Sequence, residues 1–252
     1  MGPVVKVSAL DLILSEIQVL ENINLSINAG ETLVLMGKNG CGKTVLLKTI
    51  CGLFEPNVGT INLFDQDINK LSGKELNGIK QKFGYVFQKS GLFDSMSVAE
   101  NVMFGLKRFQ PDSPEKMRQR ATDCLEKSGL RGAEEKLPSE LSGGMKKRAA
   151  LARAIATNPL LLLLDDPAAG LDPVLTDAIA DVILELKADL NAATIVITHD
   201  LKLAEKLADK VSLMISGKIH CTLAAEDFFT SKDEAVIQFR EGALTGPIKV
   251  IE

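Results

Sequence analysis

An excess of basic charge is the first thing missing from this sequence of 252 residues: 29 Lys and Arg stand against 33 Asp and Glu, a net charge of −4. Binding along a phosphate backbone needs concentrated cations, so nucleic acid has no electrostatic footing as a partner. Long apolar runs are missing too. The longest, Leu160 to Leu164, falls far short of the roughly 20 residues that cross a bilayer, and any membrane contact is expected to pass through a partner. The start, Met1-Gly2-Pro3-Val4-Val5, has neither the basic region nor the apolar stretch of an export signal, so the expected location is the cytoplasm. The four cysteines, Cys41, Cys51, Cys124 and Cys221, have no zinc or redox spacing and read as reduced thiols. Cys41 alone stands at a helix start, where a thiolate is stabilised; it is expected to be open to alkylation without being a catalyst. Repeats and low-complexity segments are absent. With 46% hydrophobic and 25% charged residues, the composition is that of an ordinary soluble globular protein.

What is present is an ordered succession of strands and helices. Residues 4 to 27 read as short strands, with alternation over Val19 to Ile27, and Gly59 to Asp65 reads as another. Continuous apolar runs over Thr32 to Met36, Leu160 to Leu164, Ala193 to Thr198 and Val211 to Ile215 predict buried parallel strands separated by helices. Phe83 to Phe87 predicts one more strand. From Ser97 to Thr157 the pattern turns helical, over Val98 to Phe109, Pro114 to Ser128 and Gly144 to Ala156, with breaks at Pro111, Gly129 and Pro138. The tail holds a predicted helix around Asp233 to Arg240, a break over Gly242 to Pro247 and a short apolar end.

Gly37-Lys38-Asn39-Gly40-Cys41-Gly42-Lys43-Thr44 fits the G-x4-G-K-[ST] pattern between a strand and a helix. Glycines there let backbone N–H groups converge on phosphates at the positive end of a helix. Lys43 is expected to reach the β- and γ-phosphates and the Thr44 hydroxyl to ligate Mg²⁺. Leu161 to Leu164 are core, and they deliver Asp165 to the ligand-collecting end of the sheet, where it should hold Mg²⁺. Asp166 follows where a general base would stand, or else caps the turn before Pro167. Gln88 ends its strand and offers a side-chain oxygen to the metal or the lytic water. His199 ends another, as a γ-phosphate contact or as a helix-capping or surface residue. Ser142-Gly143-Gly144 opens a helix carrying Lys146, Lys147, Arg148 and Arg153. That start reads either as a second anion site or as an ordinary capped helix with a solvated basic face.

Together these motifs resemble the nucleotide-binding subunit of an ABC transporter, over nearly the whole chain. The resemblance makes Gly37 to Thr44 the Walker A loop, Gln88 the Q-loop residue, Leu141-Ser142-Gly143-Gly144-Met145 the signature, Leu161 to Asp165 the Walker B strand, Asp166 the catalytic carboxylate, Gly170-Leu171-Asp172 the D-loop and His199 the switch histidine. It implies an α/β P-loop NTPase core with an N-terminal antiparallel β-subdomain and an inserted α-helical subdomain. The expected division of the single ABC ATPase domain is 1–96 with 158–222 for β-subdomain and core, 97–157 for the helical subdomain and 223–252 for a C-terminal extension. It also implies a head-to-tail homodimer holding ATP and Mg²⁺ between one Walker A loop and the partner's signature helix, with Ser142, Gly143 and Gly144 binding the nucleotide. Lys43, Ser142, Gln88, Asp166 and His199 are then the catalytic set, and Thr44, Gln88 and Asp165 the metal set.

Three departures qualify the likeness. Asp166 stands where the family usually has Glu, one methylene longer, and slow turnover that speeds up in Asp166→Glu is expected. Met145 ends the signature where Gln is common. No aromatic residue lies near Leu14 to stack on adenine, so relaxed base selectivity is expected. The signature helix from Leu141 to Ala154, the stretch Phe87 to Phe93, and the tail Gln238-Phe239-Arg240-Glu241-Gly242 with Gly246-Pro247 are similar to the Mla/Mce-type lipid-transport ATPases. That likeness implies phospholipid transport with an MlaE-like integral-membrane permease, an Mce-domain protein, a small regulatory subunit as a further candidate, and a tail that reaches across the dimer at the cytoplasmic face of the inner membrane. The alternatives are an ATPase for another solute and a soluble ABC regulator with slow hydrolysis.

Overall fold

The computed structural model describes residues 2–249. Its chain divides into two compact units, one made of residues up to Lys70 and from Ile197 onward, the other of Leu71–Val196.

The first unit opens with strands β1 (Val5–Leu14) and β2 (Ile17–Ile27), paired antiparallel from Val5↔Ile27 to Leu14↔Ile17. They are one long hairpin where the sequence predicts short strands. The register shifts beside Ala9 and Asn22, both at positive φ; such bulges interrupt alternation without ending a strand. Ser15 and Glu16, both at positive φ, make the two-residue turn whose twist suits a hairpin. Strand β3 (Thr32–Met36), fully buried, leads into helix α1 (Lys43–Ile50). Strands β4 (Val58–Leu63) and β5 (Gln66–Asp67) complete a sheet of order β2-β1-β4-β5.

The second unit begins with α2 (Gly73–Lys80) and β6 (Phe83–Val86). Helices α3 (Val98–Phe109), α4 (Pro114–Lys127) and α5 (Gly143–Ile155) follow and pack on one another. Each starts at a serine that accepts a hydrogen bond from the first turn: Ser97, Ser113 and Ser142. Strand β7 (Leu161–Asp165) runs parallel to β6, from Phe83↔Leu161 to Val86↔Leu164. Gly84 lets β6 lie against α5, since a Cβ there would sit 2.2 Å from the Ala154 carbonyl oxygen. Helix α6 (Pro173–Leu190), capped by Asp172, leads to the buried β8 (Ala193–Ile197).

The chain then returns to the first unit through α7 (Leu201–Leu207), β9 (Lys210–Ile215), β10 (Lys218–Ala224), α8 (Ala225–Thr230) and α9 (Glu234–Glu241). β9 is parallel to β3, and β10 pairs antiparallel with β9. Residues 242–249 turn back on α9 of the same chain: the Gln238 amide accepts from Ile248 N at 2.7 Å and donates to Ile248 O at 2.9 Å. The apolar end expected beyond Lys249 lies outside the described residues. An α/β architecture with an N-terminal antiparallel sheet and a helical segment is therefore present as expected. Among the described residues no helix is long and apolar enough to cross a membrane.

Candidate active site

The expected site residues fall in both units: Gly37–Thr44 and His199 in the first, Gln88, Ser142–Gly144, Asp165 and Asp166 in the second.

In the first unit, the loop after β3 is shaped by glycine. Gly37 has φ +146, and a Cβ on it would stand 2.2 Å from the Met214 carbonyl oxygen. Gly42, at φ +105, precedes α1, whose first turn carries no acidic residue, so the positive end of the helix is left for an anion. Lys43 is buried, and its Nζ donates to Gly37 O at 2.6 Å and Lys38 O at 2.9 Å, with Cys41 Sγ 3.8 Å away. The ammonium thus lies within the curl of the loop. Lys38 at the loop's exposed rim donates to Lys249 O at 3.2 Å. One expectation fails here: Cys41 is buried, and burial raises its thiol pKa despite the opposing charge of Lys43. A desolvated thiol, not a helix-stabilised thiolate, occupies the loop. His199 is exposed and is not the cap of α7; Asp200 is, accepting from Lys202 N and Leu203 N.

In the second unit, β7 carries Asp165 to its end with 4% of its surface exposed, and Asp166 follows at 6% with φ +48. Left-handed backbone at a non-glycine residue is unfavourable and persists where surroundings hold it. The Gln88 amide Nε2 lies 3.4 Å from Asp166 Oδ2, so these two expected site residues are brought together. Ser142 caps α5 by accepting from Met145 N at 3.3 Å. Ser142 and Gly143 are exposed, and Cβ positions on Gly143 and Gly144 would face the side chains of Leu171 and Leu175.

Two features are not legible in the sequence. Lys147 and Arg153 do not form a solvated basic face: Lys147 is buried and donates to Gln88 O at 2.5 Å and Asp166 O at 3.4 Å, while Arg153 donates to Ser90 O at 2.8 Å and Gly91 O at 2.6 Å. Burial lowers the pKa of both, against the pull of Asp166 and Asp165 on Lys147. Asn101, fully buried, accepts from Phe93 N and donates to the Phe93, Met96 and Ser97 carbonyls, fixing the segment that follows Gln88. Its only sequence signal is an amide on the apolar side of α3.

A phosphate loop opening a helix, and a carboxylate pair at a strand end beside a glutamine, define an ATPase of the P-loop class. Residues 20–169 match the ABC transporter family, and the chain belongs to it as an ATP-binding, ATP-hydrolysing enzyme. It is 36% identical over 252 residues, all of this chain and 73% of the relative, to the probable ribonucleotide transport ATP-binding protein mkl of Mycobacterium leprae. It is 38% identical over 231 residues, 92% of this chain and 88% of the relative, to the intermembrane phospholipid transport system ATP-binding protein MlaF of Haemophilus influenzae. A methionine import protein of Geobacillus kaustophilus and a sulfate/thiosulfate import protein of Chromobacterium violaceum match at 36% over 79% of this chain and 58% of that relative, and at 39% over 84% and 56%. The fold superposes with a TM-score of 0.81 on a dimeric ATP-binding cassette in a post-hydrolysis state bound to ADP and Pi, at 30% identity over 88% of this chain and 98% of that one.

Proposed function

We propose that the chain powers an ABC transporter from the cytoplasmic face of a membrane, pairing with a second copy of itself around ATP and docking on an integral-membrane permease. The observation that carries the docking step is an exposed aromatic cluster on the glutamine loop and α3: Phe87, Phe93 and Phe104 are 39%, 41% and 41% exposed. The rings of Phe93 and Phe104 stand 4.7 Å apart. Exposed aromatic clusters mark interaction sites, and this one borders the loop that carries Gln88.

In this reading Lys43 moves from its loop carbonyls to the phosphates, and the partner's Ser142 and the partner's Gly144 close on the same nucleotide. Thr44, Asp165 and the Gln88 side-chain oxygen, left over when Nε2 donates to Asp166, each offer an oxygen of the kind Mg²⁺ takes. The ion, when bound, neutralises charge on the phosphate oxygens. Asp166 and His199 orient the attacking water.

For cargo we favour phospholipid, supported by the Met145 signature, the tail and the likeness to MlaF. A second reading, another solute, is favoured by relatives named for ribonucleotide, methionine and sulfate transport. Affinity purification of the tagged chain from gently solubilised membranes tests both. A permease arriving with an Mce-domain protein supports lipid transport. A permease with a soluble solute-binding protein supports the second reading, and no membrane protein at all sinks both.

A further inference from the structure

The contacts of α5 assign a role to a residue outside the expected site. Lys147 is 5% exposed, and its ammonium joins two carbonyls that belong to different segments: Gln88 O at 2.5 Å and Asp166 O at 3.4 Å. Those two residues also meet through their side chains. Further along the same helix, Arg153 holds Ser90 O and Gly91 O. The loop from Gln88 to Gly91 is therefore bound to α5 by charged donors, at a place where Ser90 and Gly91 both have positive φ, +61 and +60. Asp166 is likewise at φ +48, and its carbonyl is held by Lys147 and by Ala169 N at 3.1 Å. A backbone shift at either end would change the separation of the Gln88 amide from the Asp166 carboxylate.

We propose that Lys147 is a positioning residue for ATP hydrolysis: it pins the backbone of the glutamine loop to the backbone of Asp166, so that the two side chains keep one geometry. The inference rests on the site reading above, in which Gln88 and Asp166 act on the metal and the water. Lys147 acts through those two backbone carbonyls. Arg153 secures the far end of the loop without reaching Asp166. Because the helix that bears Lys147 begins at Ser142, a shift of that helix would carry the Gln88 and Asp166 carbonyls with it.

The test uses the full chain, with steady-state ATP turnover and hydrogen exchange of the peptide covering residues 83–93. Loss of placement at a reacting group costs up to about 100-fold in rate. Lys147→Met is accordingly expected to lower kcat by about 10- to 100-fold with KM within about twofold, as befits an interaction expressed in the transition state. Exchange in the 83–93 peptide is expected to speed up, and Lys147→Arg, which restores a charged donor, to recover most of the turnover. A rise in KM with unchanged kcat, or unchanged exchange, overturns the role. If Lys147→Met does not fold, Lys147→Gln, which keeps a shorter donor, carries the same measurements. Asp166→Asn in the same assay separates the two levels. Turnover retained there overturns the site reading and this inference with it; turnover lost there but kept in Lys147→Met overturns the role of Lys147 alone.

Discussion

Lys43 in the first unit and Lys147 in the second are 8% and 5% exposed, and each aims its ammonium at two backbone carbonyls. The partners differ in kind. Those of Lys43 lie five and six residues back along its own loop, whereas those of Lys147 lie 59 and 19 residues away. A lysine bonded within its own loop can exchange those carbonyls for phosphate oxygens without disturbing anything remote. A lysine that joins distant segments cannot let go without freeing them. Burying an ammonium is costly unless it is well bonded; on the proposed reading one contact serves exchange and the other tension.

Removing each lysine is the strongest way to break that comparison. Lys43→Met should cost about 10²–10³-fold in turnover, the scale of losing one electrostatic stabiliser of a developing charge, and should raise KM for ATP because the ground-state phosphates are held too. Lys147→Met, by contrast, should leave KM alone. If the two variants show the same pattern in steady-state kinetics, the distinction between exchange and tension is wrong. Next in size is Asp166→Glu. A carboxylate misplaced by about an ångström costs about 10²-fold, so lengthening it by one methylene should raise turnover toward that factor. Unchanged or slower turnover would show that the aspartate is not what limits the rate.

Local chemistry explains what the sequence made legible. The phosphate loop is a continuous octapeptide with glycines where backbone must approach backbone, so Gly37, Lys43 and Thr44 are readable by position. Asp165 is readable because four leucines in a row, all buried, deliver it. Lys147 was not readable, since a basic helix looks the same whether its cations face water or carbonyls 59 residues away. The long hairpin is not legible because bulges at Ala9 and Asn22 break its alternation. β10 is not legible because an edge strand alternating between exposed and half-buried residues has no apolar run. The thiol of Cys41 departs from expectation because the helix end that would stabilise a thiolate is accompanied by burial that opposes it more strongly.

Two smaller substitutions sharpen the contrast between a contact spanning the second unit and one confined to the C-terminal segment of the first. Gly84→Ala forces a Cβ to within 2.2 Å of the Ala154 carbonyl oxygen. Neither backbone is a flexible side chain, so the cost should be that of overpacking, about 1–3 kcal/mol, read as a lower thermal midpoint.

Asp233 is the milder case. It caps α9, accepting from Ala235 N and Val236 N at 2.9 and 3.0 Å, and it also bonds His220 Nε2. The Val236 N–H, followed by the contact with His220, holds its carboxyl below the ordinary value of 3.8. Because the folded pKa lies below the unfolded one, the native state binds fewer protons in the interval between them. The contribution of the carboxylate is complete above the unfolded value and disappears as pH falls through the folded one. Asp233→Ala should therefore cost about 0.5–2 kcal/mol at pH 7, the usual range for losing such a cap. The gap between variant and parent should narrow as pH drops below about 4. Urea unfolding at pH 7 and at pH 3 measures both; a gap that stays constant would mean that the charge on Asp233 is not what stabilises α9, and no gap at pH 7 would mean that the cap contributes nothing.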